Sequence, residues 1–510
     1  MNYKTVKQAV CVNETAFLKN AEVPFEFDFT LPDYCPDIVK ILKCRVMPKI
    51  SSKTINGNNV NIDGNICVNV MYCDERGYIY SYEQISPFSK TFVCEEEIPS
   101  GFVMGCVSNE YANCRAITER RVEIHGAVML KATVTVRKNH EVICDIDEEN
   151  IQTKRKDIHS STSIGMAEKC ILLEEEVPSN ETEAIDSVLQ YDASPVITEV
   201  KAVKGKVVAK GDLLVNVMYC TKEHSKYHTF KTTLPFSLFL EIEGVHEECR
   251  LEAIPELSFF EVRLKKGEEE CKTLLVNAKI CVLAKAFCEL SVPVICDIYS
   301  TKENLETQKE EVCLERLVDN VSDSYMLKTV FDFPKESILD IINYKTEIVV
   351  KSCQIKNGKI VAEATFVLSI ICLDMQKKTL YFEKSCDFVW EHPYNYDEAE
   401  NFVCEANFYS VSSSYTILSD SSLEFRNEFK VKTAVTSKAK IPLIVAVEKS
   451  KSAKEKSSSN CQAVIYYANK NESLWDIAKH YNSNIEELKK LNEINDDCIK
   501  ENKALIIPIY

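Results

Sequence analysis

The chain has 510 residues, of which 45% are hydrophobic, and this length is too great for a single hydrophobic core. Its 78 acidic side chains exceed its 61 basic ones, giving a net charge of -17. This balance argues against duplex nucleic acid or an anionic membrane as the main partner, because both are bound by clustered cations. Residues 1–20 carry charges throughout, which predicts neither a signal peptide nor a membrane anchor and favours a cytosolic protein.

The 23 cysteines do not have the pattern of a disulfide framework or a zinc site. Their number is odd, they are spread along the whole chain, and no two have the Cys-x-x-Cys spacing. Most lie in apolar runs, where cysteine behaves as a small buried hydrophobic side chain. For a cytosolic chain we therefore predict reduced, buried cysteines.

The sequence repeats itself three times before residue 449. Residues 69–73 and 216–220 share the pentapeptide Asn-Val-Met-Tyr-Cys, and residues 369–373 are a weaker third copy. Both alternating sets of positions around these copies are apolar, which predicts a central strand covered on both faces. Each copy continues through a polar turn into a second strand, as in a hairpin. A period of about 150 residues is too long for a solenoid and indicates tandem domains.

We therefore predict a mainly β protein with three sandwich-like domains at residues 1–160, 161–320 and 321–448. The boundaries are placed in the polar stretches 152–163 and 301–323. Residues 449–460 are rich in lysine and serine, which predicts a flexible linker to a small domain at 461–510. Short segments that begin at Asp37, Asp186 and Asp340 have a helical pattern before each hairpin.

No motif predicts catalysis. Gly205 and Gly358 precede lysines, but neither belongs to the Gly-x-x-x-x-Gly-Lys-Ser/Thr pattern that cradles phosphates. His224 and His228 have the spacing of helical metal ligands, yet they fall in a predicted turn, where their side chains point apart. We predict a non-enzyme with no catalytic residue, metal or cofactor.

The last fifty residues predict two short helices between two strands. Ser473 and Asn484 each precede a carboxylate by three residues, which is typical of a helix start. Apolar side chains then recur at helical spacing. They are Leu474, Ile477, Ala478 and Tyr481 in the first helix and Ile485, Leu488 and Leu491 in the second.

Trp475 lies outside this apolar face, about 100° around the first helix from Leu474. Two interpretations remain open. The indole ring either lies over the edge of the domain, partly covered by the strands, or is exposed as an anchor for a partner, since tryptophan is enriched at binding hot spots. We predict a partner-binding site made of Trp475 with Asn471, Glu472, Ser473 and Lys479.

This tail resembles the LysM domain, a βααβ module that binds N-acetylated glycans. The resemblance rests on Ser-Leu-Trp-x-Ile-Ala at 473–478, Tyr481, Leu-x-x-x-Asn ending at Asn492, and Leu-x-Ile-Pro at 505–508. Where that family has Gly-Asp before the first helix and Gly before the last strand, this chain has Asn471-Glu472 and Asn502. Asparagine tolerates a left-handed backbone, so we expect the fold to be kept. With both glycines replaced, we predict a protein ligand rather than a glycan.

The whole chain resembles the SPOCS-domain proteins of spore-forming Firmicutes. The resemblance rests on Leu-Pro-Asp-Tyr-Cys-Pro-Asp-Ile at 31–38 and on three β-rich units followed by a LysM tail. It implies a non-enzymatic spore-coat scaffold in the mother-cell cytoplasm, at the forespore surface. It also implies that the LysM domain docks a stage IV sporulation protein A-like coat ATPase. Other coat proteins, or a second copy, are further partners, and a glycan-binding envelope protein and a hydrolase are the alternative functions.

Overall fold

The computed structural model describes residues 3–98, 101–179, 183–222, 226–265, 271–333, 338–395, 401–419, 421–450 and 462–509. His224 lies outside these residues, as does the predicted linker from residue 451 onward. The described chain is mainly β-strand, with two short helices near its C-terminus.

The first unit comprises six antiparallel strands in two three-stranded sheets. The strands are β1 (Thr5–Thr30), β2 (Lys40–Asn56), β3 (Asn59–Cys73), β4 (Ile79–Val93), β5 (Phe102–Ala116) and β6 (Arg121–Ile146). One sheet has the order β2-β3-β4 and the other β1-β6-β5. The two sheets share one core, in which Phe17, Val70, Tyr72 and Ile124 are buried. This is the sandwich-like arrangement expected from the sequence.

The second and third units repeat the same strand order. The second contains β7 (Ile151–Pro178), β8 (Ile185–Val203), β9 (Lys206–Thr221), β10 (Tyr227–Glu241), β11 (Arg250–Leu264) and β12 (Thr273–Ser300). The third contains β13 (Leu305–Asp332), β14 (Ile338–Lys356), β15 (Lys359–Asp374), β16 (Thr379–Pro393), β17 (Phe402–Ser419) and β18 (Ser422–Lys449). Their sheets are β10-β9-β8, β11-β12-β7, β14-β15-β16 and β13-β18-β17. The prediction of three β-rich repeats is confirmed.

A C-terminal module follows, with β19 (Ala463–Ala468), α1 (Leu474–Tyr481), α2 (Ile485–Asn492) and β20 (Lys503–Pro508). Strands β19 and β20 pair antiparallel. The βααβ order expected from the sequence is therefore confirmed.

The three units meet at a shared apolar centre. Strands β6, β12 and β18 contact one another, and so do β1, β7 and β13. Each unit supplies equivalent side chains to the cluster between them: Val10, Ile158 and Val312 from the first strands, and Val142, Val294 and Leu443 from the last. Because each unit contributes to the same cluster, the units form a closed arrangement in which each contacts the other two.

The repeated pentapeptide takes part in a second cluster between the units. Val70 and Tyr72 point into the core of the first unit, whereas Met71 packs against Met218 of the second unit and Ile371 of the third. Both faces of β3 are thus covered, as the doubly apolar pattern predicts. One face is covered within the unit and the other by the neighbouring units.

Charged side chains from all three units also converge. Arg45, Asp192 and Lys345 lie opposite the first residues of the three repeated copies. An Asp192 carboxylate oxygen lies 3.3 Å from the Arg45 guanidinium and 3.6 Å from the Lys345 ammonium. Burial raises the pKa of Asp192, but Lys345 and Arg45 lower it by more, so this pKa lies below its usual range. We name these three residues the ion trio.

None of the three segments predicted as short helices is a helix: residues 37–39 precede β2, and the other residues of these segments lie in strands. Residues 40–42, 185–189 and 338–342 belong to β2, β8 and β14, and each contains a break in pairing register. A β-bulge inserts one residue, which shifts the side-chain alternation and places apolar residues three apart. Ile338 and Ile341 show this spacing, and both are buried. A bulged strand therefore has the local pattern of a helix.

The expectation that the cysteines are reduced is wrong for one pair in the described part of the chain. Cys170 and Cys281 form a disulfide. They lie directly opposite each other on β7 and β12, a pairing that residue spacing does not reveal.

The predicted domain boundaries near residues 160 and 320 fall within β7 and β13, which are paired along those stretches. A boundary inside a paired strand would divide a sheet. We propose boundaries at residues 147–150 and 301–304, which connect one six-stranded unit to the next.

The ion trio yields a stability prediction. Asp192→Asn removes the carboxylate that pairs with Arg45 in a partly buried site, while Lys345 keeps Glu347 at 2.6 Å. The substitution is expected to lower the free energy of unfolding by about 3 kcal/mol. The wild-type contribution of Asp192 is complete above the ordinary aspartate pKa, about 3.9, and is lost as pH falls through the lower folded-state pKa. Urea denaturation at several pH values measures both effects.

Asp387 provides the matched control, because its exposed carboxylate pairs only at the surface, 2.7 Å from Lys351. Asp387→Asn is expected to change the free energy of unfolding by less than about 1 kcal/mol. Equal effects of the two substitutions would show that the ion trio does not stabilise the contact between the units.

Candidate functional site

The helices of the C-terminal module begin where the sequence predicts. The Ser473 hydroxyl accepts a hydrogen bond from the Asp476 backbone N–H at 3.4 Å. The Asn484 side chain accepts from the N–H groups of Glu486 and Glu487 at 2.9 and 3.2 Å. These caps satisfy amide groups that a helix cannot pair internally.

The buried face of the second helix differs from the prediction at its end. Leu488 is fully buried, but Leu491 is 54% exposed. Asn492 is buried instead, and its side chain bonds to the backbone N–H and C=O of Ile506 at 2.7 and 2.8 Å. The asparagine of the Leu-x-x-x-Asn pattern therefore ties α2 to β20.

Trp475 is buried against the second unit, with only 5% of its surface exposed. Its indole N–H donates to the Asp297 carboxylate at 2.8 Å, and its ring meets the Tyr299 ring edge-on at a centroid distance of 5.0 Å. Trp475 belongs to the same apolar cluster as Leu474 and Ile477, together with Tyr299. The end of β12 covers the ring. Trp475 is therefore neither partly covered at the edge of the module nor exposed to solvent, which are the two positions that the sequence analysis left open.

Lys479, one helical turn after Trp475, reaches the same carboxylate. Its ammonium lies 2.7 and 2.6 Å from the two oxygens of Asp297. Burial raises the pKa of Asp297, but the hydrogen bonds from Lys479 and Trp475 more than offset this, so this pKa lies below its usual range. The arrangement therefore favours the charged form of Asp297.

The turn between the two helices is held by the same unit. The Tyr299 hydroxyl donates to the Ser483 carbonyl at 2.7 Å, and the Gln152 side chain accepts from the Ile485 backbone N–H at 3.3 Å. Tyr299 is also part of the apolar cluster of the module. We call the surface formed by Gln152, Asp297 and Tyr299 the dock.

The dock is found on the second unit because the first and third units have other residues at the equivalent positions. Asp145, Asp297 and Ala446 occupy the same place in the pairing registers of β6, β12 and β18. Asp145 is 2.5 Å from the Arg155 guanidinium, and Ala446 offers no charge. Two residues further along, the first unit has Asp147 where the second has Tyr299. The second unit alone combines a carboxylate with an aromatic ring at these positions.

The remaining predicted site residues lie on an open cleft beside α1. Asn471, Glu472 and Ser473 line a depression of about 550 Å³ together with Tyr466, Asp476, Ile477, His480 and Tyr481. Asn471 has φ 71°, the left-handed conformation for which asparagine substitutes for glycine. The Asn469 amide donates to Glu472 at 2.9 Å, which holds the pKa of Glu472 below its usual range. The cleft is therefore polar and acidic, with aromatic walls.

The five predicted site residues thus separate into two groups. Trp475 and Lys479 contact the dock, whereas Asn471, Glu472 and Ser473 line the open cleft. Sequence analysis missed Asp297 and Tyr299 because they lie about 180 residues earlier in the chain, in a strand with no motif.

Sequence analysis also missed a group of three potential metal ligands outside the module. His246, Cys249 and Cys288 bring their ligand atoms within 4.8 Å of one another. The His-x-x-Cys spacing of the first two was the only local signal.

Two family models match parts of the chain. The SipL, SPOCS domain family matches residues 37–117 and 184–265, and the LysM domain family matches residues 466–508. The SPOCS matches cover β2–β5 and β8–β11, the corresponding parts of the first and second units. No curated protein and no solved structure matches. In the described ranges, neither α1 nor α2 has the length and apolar character that a membrane span requires.

The contact between module and dock leads to a prediction. Asp297→Lys places a cation against Lys479 and removes the acceptor of the Trp475 indole, so docking weakens by roughly 1.5–3 kcal/mol, the range for hydrogen bonds to charged groups. Trp475 then becomes exposed and its fluorescence emission shifts to the red. The measurement uses a Trp390→Phe background, because the chain has two tryptophans.

Asp145→Lys is the control at the equivalent position of the first unit, and it is expected to leave the emission of Trp475 unchanged. Hydrogen exchange in α1 gives a second readout, with faster exchange in the Asp297 variant alone. Unchanged fluorescence and exchange in that variant would mean that the module does not rest on the dock in solution.

Proposed function

Because the chain combines SPOCS domains with a C-terminal LysM domain, we propose that it is a non-enzymatic scaffold of spore-coat assembly. Both families consist of binding domains, and the SPOCS match supports a role in sporulation. In this proposal the protein acts in the mother-cell cytoplasm at the forespore surface. Its LysM module captures a stage IV sporulation protein A-like coat ATPase.

The observation that carries the proposal is the division of the module into a docked face and an open face. The three six-stranded units form a closed body through their shared clusters. The module is attached to that body through Trp475 and Lys479, while its acidic cleft faces solvent. A closed body that presents an open binding face is the arrangement expected of a scaffold.

We further propose that the partner binds the cleft first, through Asn471, Glu472 and Ser473. Trp475 and Lys479 contact the partner only when the module leaves the dock, because Trp475 is buried against the second unit and the Lys479 ammonium is paired with Asp297. The acidic side chains Glu472 and Asp476 favour a basic partner surface.

The test is affinity capture from sporulating cells with the full chain and with a chain truncated after Asn460. The full chain is expected to retain the coat ATPase, and the truncated chain is expected to lose it. Asp476→Lys, which reverses the charge of an exposed cleft residue, should reduce capture at least tenfold, since like charges across an interface cost several kcal/mol. Lys490→Glu, an exposed change on α2 away from the cleft, should have no effect.

The variants Asp297→Lys and Trp475→Glu then show which of the two faces of the module the partner binds. If the partner uses Trp475, freeing the module with Asp297→Lys raises capture, and Trp475→Glu abolishes it. If the partner uses the cleft alone, both variants bind as the wild type does. Undiminished capture by the truncated chain would overturn the proposal that the LysM module holds the partner.

Glycan binding is a second candidate function of the open cleft. The LysM match is compatible with a glycan ligand as well as a protein ligand, and Tyr466 and Tyr481 offer aromatic walls to a sugar ring. Peptidoglycan and chitin oligomers are added to the same full-length protein. Retention of the oligomers without capture of the ATPase would favour this alternative.

A further inference from the structure

We propose that His246, Cys249 and Cys288 form a binding site for a thiophilic metal ion, of which Zn²⁺ is the expected one. The three residues belong to the second unit but lie far from the LysM module in sequence. His246 and Cys249 lie in the loop between β10 and β11, and Cys288 lies on β12.

The donor atoms converge closely. The Cys249 sulfur is 2.8 Å from Nδ1 of His246 and 2.6 Å from the sulfur of Cys288. The Cys288 sulfur lies 3.6 Å from the same imidazole nitrogen. Zinc binds sulfur at about 2.3 Å and imidazole nitrogen at about 2.0 Å in a tetrahedral arrangement, which places two coordinated sulfurs about 3.8 Å apart. The two thiols, 2.6 Å apart in this structure, therefore have to separate by about 1 Å through side-chain rotation to bind one ion. Two thiolates and one imidazole are ligands that zinc prefers.

The backbone holds this turn in the form that a metal-binding loop needs. The Cys249 N–H donates to the His246 carbonyl at 3.0 Å, which closes the turn. The His246 N–H points at the Cys249 sulfur, 3.5 Å away, and a hydrogen bond of this kind stabilises a thiolate ligand. Val245 is tied to Gly205 through a further backbone bond of 2.8 Å. The loop is therefore positioned before any ion binds.

The imidazole distinguishes this site from the other thiol pairs. Cys353 and Cys404 approach to 3.0 Å, but in the described part of the chain the three-donor group at Cys249 is the one that contains cysteine. A disulfide between Cys249 and Cys288 would leave the histidine without a role. The third donor, Nδ1 of His246 at 2.8 Å from the Cys249 sulfur, is the observation that favours a metal over a disulfide at this thiol pair. His246 is exposed, so a water molecule can occupy the fourth position.

The site lies beside the contact between the second and third units. Arg250, the residue after Cys249, donates through its guanidinium to the carbonyl groups of Leu317 and Val318 in the third unit. It also pairs with Glu289, the residue after Cys288, at 2.7 Å. An ion that joins Cys249 to Cys288 fixes both ends of this Arg250–Glu289 pair. Metal binding is thus expected to stabilise the contact between these two units.

The experiment uses the full chain, purified under reducing conditions, stripped with a chelator and titrated with Co²⁺, which replaces zinc and reports thiolate ligation by its absorption. One equivalent of Co²⁺ should produce thiolate charge-transfer bands, which Zn²⁺ then abolishes. Cys288→Ser and His246→Ala should each weaken Co²⁺ binding at least tenfold. Cys404→Ser, in the thiol pair without histidine, should leave it unchanged.

A measurement on the wild-type protein keeps the proposal testable if a variant fails to fold. Bound Zn²⁺ should protect Cys249 and Cys288 from alkylation, as mapped by mass spectrometry, and should raise the unfolding temperature. The absence of thiolate bands with Co²⁺ would overturn the proposal. A Cys249–Cys288 disulfide in the reduced preparation, found as a crosslinked peptide, would also overturn it.

Discussion

The closure of three similar units on one another is the constraint on which the rest of this structure depends. Each unit has apolar side chains that its own two sheets do not cover, such as Met71 and Val142 in the first unit. Burying these side chains requires the equivalent residues of the other two units, so the clusters are complete only when all three are present. The apolar area that remains outside each sandwich thus supplies the free energy that holds the units together.

The ion trio shows how one chain can specify such an arrangement. Arg45, Asp192 and Lys345 occupy the same place in the three units, and one anion lies between two cations. If three copies of a single unit closed in the same way, three like charges would meet at this place. Like charges in a partly buried site are unfavourable, so the trio favours the unit order of one chain over the assembly of identical units.

The LysM module breaks the approximate equivalence of the three units, because it contacts the second unit through the dock. The module rests on the second unit because Asp297 and Tyr299 are combined there alone. The same contact covers Trp475, which would otherwise be the strongest anchor for a partner. The binding surface available to another protein therefore depends on whether the module is docked. The body of the protein and its binding module are coupled through the dock, in which the carboxylate of Asp297 binds both Trp475 and Lys479.

The sequence by itself determined the features that depend on local periodicity. The repeated pentapeptide and the alternation around it predicted central strands, and the caps at Ser473 and Asn484 predicted both helix starts, because each pattern is set by residues a few positions apart. The helical pattern before each hairpin gave a wrong prediction for the same reason, because a β-bulge also places apolar residues three apart.

Only the tertiary structure decided what those elements contact. The sequence placed Trp475 off the core face of α1, but its burial requires β12, which lies about 180 residues earlier. The disulfide of Cys170 and Cys281 and the ion trio likewise join residues that are distant in the chain, and Cys288 joins His246 and Cys249 from about 40 residues away. Such contacts depend on how sheets and units pack, and residue spacing contains no information about packing between segments that are distant in the chain.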